Sequence, residues 1–128
     1  MTKRNVMLGF FTVCFLLMST FSYADANKAA ISSMSNIMLH LNHYPSDSEK
    51  KQLNKFISDN SLSGNVRTMA QVMTDLEHKV TDSDKKKLSA IIDDKSASAD
   101  EKTLAMVIKN LDHKPSEADK QKLQEIAK

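Results

Sequence analysis

Apolar residues recur along this chain at three- and four-residue spacing, the period of one helix face, in a series of short stretches. Ile31, Met34, Met38 and Leu41 make the first stripe, Val66, Met69, Met73 and Leu76 the next of its kind, and Leu104, Val107, Ile108 and Leu111 the last. Between them run shorter stripes: Leu53, Phe56 and Ile57, then Leu88, Ile91 and Ile92, then Leu123 and Ile126. Each stripe predicts an amphipathic helix that needs a partner for its apolar face.

The stripes share one register. Leu41, Leu76 and Leu111 are 35 residues apart, as are His43, His78 and His113, Lys50, Lys85 and Lys120, and Leu53, Leu88 and Leu123. Residue type is kept at Ser46, Thr81 and Ser116 and at Glu49, Asp84 and Asp119. The chain reads as a single all-helical domain over residues 27–128, made of repeats 28–62, 63–97 and 98–128.

The breaks repeat too. Ser46, Thr81 and Ser116 each place a hydroxyl at a helix start with an acid three residues on, the pattern of a capping box; Ser98 with Glu101 does the same, and Ser63 stands at the matching position beside Gly64. Pro45 and Pro115 sit just before two of the caps, where no amide hydrogen is needed, and Val80 takes that place in the middle repeat. The expected fold is all-α: three tandem helical hairpins, six helices in all, forming a short α-solenoid or a compact helical bundle. A stack is favoured, because the recurring faces predict that each unit meets its neighbour in the same way. The period is close to that of tetratricopeptide repeats, but the aromatic, glycine and alanine positions of that family are absent and no family is assigned.

The N-terminus has a different character. Lys3 and Arg4 precede an apolar run from Val6 to Met18, followed by Ser22, Tyr23, Ala24, Asp25 and Ala26. This is the layout of a cleavable secretory signal over residues 1–24, cut after Ala24 or Ala26. At about 13 residues the run falls short of the roughly 20 needed to span a bilayer, so no transmembrane segment is expected in the mature chain. The expected location is periplasmic or secreted. Cleavage would remove the only cysteine, Cys14, so packing alone must hold the domain together.

Charge excludes more than it suggests. The whole chain has 18 basic and 16 acidic residues, and losing Lys3, Arg4 and Asp25 leaves the mature part nearly neutral. No nucleic-acid partner is implied, and the near absence of aromatic residues argues against base or sugar stacking. Without a cysteine nucleophile, a glycine-rich phosphate loop or an HExxH helix, the sequence reads as non-enzymatic and needing no cofactor.

Histidines are the candidate chemistry. His43, His78 and His113, read as lying in the last turn of each first helix, are expected to interact with the carbonyl end of that helix. Metal binding is the alternative, through His40 and His43 at i, i+3. In a stack the outer two of the three repeated histidines would lie about 20 Å apart, so one ion could not use all three. Met34, Met38, Met69 and Met73 fall on the core stripes, whereas Lys50, Lys85, Lys120 and their neighbours read as a solvated face. The expected function is an exported binding module or regulator for a protein or peptide of the bacterial envelope, with a metal-binding or metal-sensing envelope protein as the alternative.

Overall fold

The computed structural model describes residues 23–128. The expected leader, apart from its last two residues and the possible cuts after Ala24 or Ala26, therefore lies outside the described residues. Six α-helices follow: α1 (Tyr23–Leu39), α2 (Asp47–Ser58), α3 (Gly64–Thr74), α4 (Asp82–Asp93), α5 (Ala99–Lys109) and α6 (Glu117–Ile126). Among the described residues, no helix is long and apolar enough to cross a membrane.

Helix starts follow the side-chain chemistry. Ser46, Ser63, Thr81, Ser98 and Ser116 are the N-caps of α2 to α6, each accepting a hydrogen bond from a backbone amide of the first turn. Ser46 with Glu49 and Ser98 with Glu101 close complete capping boxes, because glutamate is long enough to reach back to the cap amide at 2.7 Å. Asp84, one methylene shorter, instead accepts from the Thr81 hydroxyl at 2.9 Å. The turns after α2 and α4 are matching Asx turns, in which Asp59 accepts from the amide and hydroxyl of Ser61, and Asp94 from those of Ser96.

The helices close on one another and do not stack in a row. α1, α3 and α5 each pack against the other two, and the outer helices cover them: α2 lies mainly on α3, α4 on α5, and α6 returns to α1. Each outer helix thus packs more extensively on the first helix of the next repeat than on that of its own. Ser32 of α1 seals the closure by donating its hydroxyl to the carbonyl of Ala127, just past α6. An open stack would leave the apolar stripe of α1 bare at one end, and nothing in Ile31, Met34 and Met38 supplies the polar outer face of a capping repeat. Closure buries all three.

The core is formed by equivalent positions: Met34, Met69 and Leu104, then Met38, Met73 and Ile108 on the inner helices, and Leu53, Leu88 and Leu123 on the outer ones, all fully buried. Ser35, Ala70 and Ala105, small residues at matching places on α1, α3 and α5, are also fully buried. These small residues let the three inner helices approach closely. The inner faces of α1, α3 and α5 are thus spent on this core.

Candidate functional site

Closure brings the C-terminal ends of α1, α3 and α5 to one end of the bundle, and with them three equivalent loops. Each loop is pinned on both sides of its histidine. Leu41, Leu76 and Leu111 are buried and tighten the end of their helices by bonding to the carbonyls of Met38, Met73 and Ile108. Two residues after each histidine, Pro45, Val80 and Pro115 are buried as well. The three residues between each pair of anchors are exposed, so His43, His78 and His113, at their centres, stand at loop tips in reach of solvent.

The three imidazoles meet. Ring centroids of His43 and His78, His43 and His113, and His78 and His113 are each 5.5 Å apart, an equilateral triangle; His43 stands edge-on to the other two, which are inclined by 43°. Backbone bonds tie the loops together beneath the rings. The His43 amide donates to the His113 carbonyl at 3.2 Å, and the His113 amide to the His78 carbonyl at 3.1 Å. His43 and His113 have left-handed backbone, with φ of 76° and 66°. This conformation is uncommon for a residue with a Cβ, and it persists only where the surroundings enforce it.

Nδ1 of His43 meets Oδ1 of Asn42 at 2.9 Å, and Nδ1 of His113 meets Oδ1 of Asp112 at 2.8 Å. Both partners are acceptors, so in the neutral ring Nδ1 carries the proton and the lone pair is left on Nε2. The His113 contact, with the Lys79 ammonium behind it, holds the Asp112 carboxyl below the usual carboxylate range. As the rings stand, among the described residues no three histidine, cysteine, aspartate or glutamate side chains have their donor atoms gathered for a metal ion.

This arrangement corrects two expectations. The repeated histidines are not in the last turns of their helices: α1, α3 and α5 end at Leu39, Thr74 and Lys109, four residues earlier. The contact with a helix carbonyl is made by His40, whose Nδ1 lies 2.9 Å from the carbonyl oxygen of Asn36. His43, His78 and His113 also do not lie far apart, because the ring of helices turns a linear repeat into a triangle. His40 is not part of that triangle.

Other candidates fall elsewhere. Met34, Met38, Met69 and Met73 are fully buried, and Met106 is partly exposed on α5. Lys87, Lys120 and Lys122 pair at 2.8 to 3.0 Å with acids in the first turn of their own helices, the solvated face expected of them. Asn42 and Asp112, the partners of the imidazoles, escaped the sequence reading because their position is occupied by Glu77 in the middle repeat, so the three copies do not agree in type there. The signal available was position alone, one residue before an invariant histidine.

Comparison with protein-family models, with curated proteins and with solved structures finds no match to this chain.

Proposed function

We propose that this is an exported, non-enzymatic metal-binding protein, periplasmic or secreted, whose site is the triangle of His43, His78 and His113. The observation that carries the reading is the 5.5 Å spacing of the three rings. With a metal-to-nitrogen bond of about 2 Å and roughly 1.1 Å from nitrogen to ring centre, three imidazoles on one ion have centroids about 5.1 Å apart at tetrahedral angles and about 5.4 Å apart in a plane. The spacing is close to that of a three-histidine site, and the ring nitrogens converge on one ion only if the rings turn from their present orientations. The Cβ–Cγ torsion is broad for histidine, and the side chains are exposed.

The hydrogen bonds favour the same use. Metal-binding histidines usually donate their second nitrogen to a carboxylate or amide oxygen, which fixes the tautomer and raises ligand basicity. Asn42 and Asp112 place such acceptors beside His43 and His113, on exposed side chains that would have to follow the rings as they turn. Three neutral nitrogen donors suit zinc, copper(II) or nickel(II), and leave coordination positions open towards solvent.

Calorimetric titration of the processed protein with zinc, nickel(II) and copper(II) tests the reading. One ion per chain is expected, with a loss of affinity of about 100-fold or more when any one of His43, His78 or His113 becomes alanine, since removing a ligand should exceed the cost of removing a partner of a ligand. His40→Ala leaves binding unchanged. Loss on His40→Ala with none on His78→Ala would replace the triangle with the His40 and His43 pair; no saturable binding would end the metal reading altogether.

A further inference from the structure

The histidine triangle has a charged neighbour. Beside it, between the loop after α3, the start of α4 and the end of α5, lies a depression of about 340 Å³ lined by Lys79, Lys85, Lys109, Asn110, Leu111 and Asp112. Lys79 follows His78 in the chain, and Asp112 is the residue whose carboxylate bonds His113, so the wall of the depression is also the support of the triangle.

Its three ammonium groups are poorly neutralised. Lys79 lies 3.8 Å from Asp112, whose oxygen is already engaged by His113. Lys85 lies 3.9 Å from Asp82, a carboxylate that is itself almost wholly in water. Among the described residues, no carboxylate comes within 4 Å of Lys109. Elsewhere on the same molecule Lys87, Lys120 and Lys122 hold their acids at 2.8 to 3.0 Å. A divalent ion held by three neutral imidazoles brings no anionic ligand with it, so loading the triangle adds positive charge to a face already in excess of it. The site then attracts an anion from solution.

We infer, resting on the metal reading above, that the site takes its ion together with a small multivalent carboxylate: one carboxylate fills a coordination position left open by the imidazoles, and the others lie among Lys79, Lys85 and Lys109. Two anionic groups are required because the two tasks are at different places, the metal and the ammonium cluster. A monoanion such as acetate performs only one of them. The depression has room for a molecule of citrate size, well beyond that of a single halide or phosphate. The side-chain amide of Asn110 offers a neutral donor in the same wall.

Citrate and nickel(II) are the probes. Native mass spectrometry of the processed protein should show a complex of one chain, one nickel and one citrate, and titration should show citrate binding at least about tenfold more tightly to the nickel-loaded than to the metal-free protein. The variant Lys79→Gln with Lys109→Gln is compared by the ratio of nickel affinities measured with and without citrate, so that a change in metal affinity itself cancels. Loss of two exposed charge contacts predicts a fall in that ratio of roughly tenfold. If nickel does not bind in the absence of citrate, the metal reading fails. If nickel binds but citrate strips it equally from wild type and variant, this inference fails while the metal reading stands. Equal enhancement by acetate or inorganic phosphate would overturn the assignment to a multivalent carboxylate.

Discussion

The backbone amide of His43 donates to the carbonyl of His113, 3.2 Å away and two repeats along the chain. Both residues have positive φ, while His78, the third of the set, is absent from the positive-φ residues of the described chain. The left-handed region costs a residue with a Cβ about 1 kcal/mol or more, and glycine almost nothing, although glycine gives up more chain entropy on folding. His43→Gly and His113→Gly are therefore expected to change stability by between zero and about +1 kcal/mol, whereas His78→Gly destabilises by roughly 0.5–1 kcal/mol. His43→Val, β-branched, should be clearly worse than His43→Gly. Urea midpoints of the four variants check this, and equal midpoints for valine and glycine at position 43 would show that the loop does not hold its left-handed form in solution.

Ser35 is a fully buried residue whose hydroxyl has no hydrogen-bond partner among the described residues, and its counterparts Ala70 and Ala105 fill the same place without one. An unpaired buried hydroxyl costs about 1–3 kcal/mol of desolvation, and alanine at this position leaves only a small void. Ser35→Ala should stabilise the protein by about 1 kcal/mol, raising Tm by roughly 4–8 °C for a domain of this size. A thermal scan by circular dichroism reads it, and a lowered Tm would mean that the hydroxyl finds a partner.

The parts of the fold that were legible in the sequence are those decided within one turn of helix. Ser46, Ser63, Thr81, Ser98 and Ser116 cap helices because a short hydroxyl side chain at that position satisfies amides that no other group reaches, and Leu53, Leu88 and Leu123 are buried because their stripes have no other apolar residue so central. Closure was not legible. Periodicity states that the face of α1 needs a cover, but the cover proves to be α6, at the far end of the chain, and no local pattern distinguishes that from an open row. The misplacement of the histidines follows from it, since stacking separates what closure assembles. One local clue was present: Pro45 and Pro115 hold the preceding Tyr44 and Lys114 to extended backbone, which leaves no room for a further helical turn at His43 or His113.

Asp94, the C-cap of α4, supplies a pH-dependent term. Its carboxylate accepts from the Asn65 amide at 2.8 Å and from the hydroxyl and amide of Ser96, and these bonds lower its pKa from 3.8 to about 2. A carboxyl depressed in the folded state contributes stability that is present above its unfolded pKa and lost as pH falls through the folded one. The loss attributable to Asp94 thus falls in a window from about pH 4 down to about 2. Asn65→Ala removes the largest cause, so the Asp94 resonance in an NMR titration should move to higher pH, and the acid limb of the urea midpoint curve should shift the same way. An unchanged Asp94 titration in Asn65→Ala would place the cause elsewhere.

Leu123 decides between a closed ring and an open row. It is fully buried on α6, as Leu53 is on α2 and Leu88 on α4, because α6 packs on α1 in the manner of α2 on α3 and α4 on α5. In an open row the last helix has a neighbour on one side only, frays first, and tolerates truncation of its apolar residues cheaply. In the closed ring no outer helix is terminal in this sense. Leu53→Ala, Leu88→Ala and Leu123→Ala should each cost about 2–5 kcal/mol, with the third no cheaper than the first two. The measurement is the stability of each variant by chemical denaturation, with amide exchange followed along α1. In Leu123→Ala, protection in α1 should fall together with that in α6, since each covers the other. A cost for Leu123→Ala well below 1 kcal/mol, with α1 still fully protected, would show that the ring is open in solution, and the three histidines would then lose the geometry on which a shared metal depends.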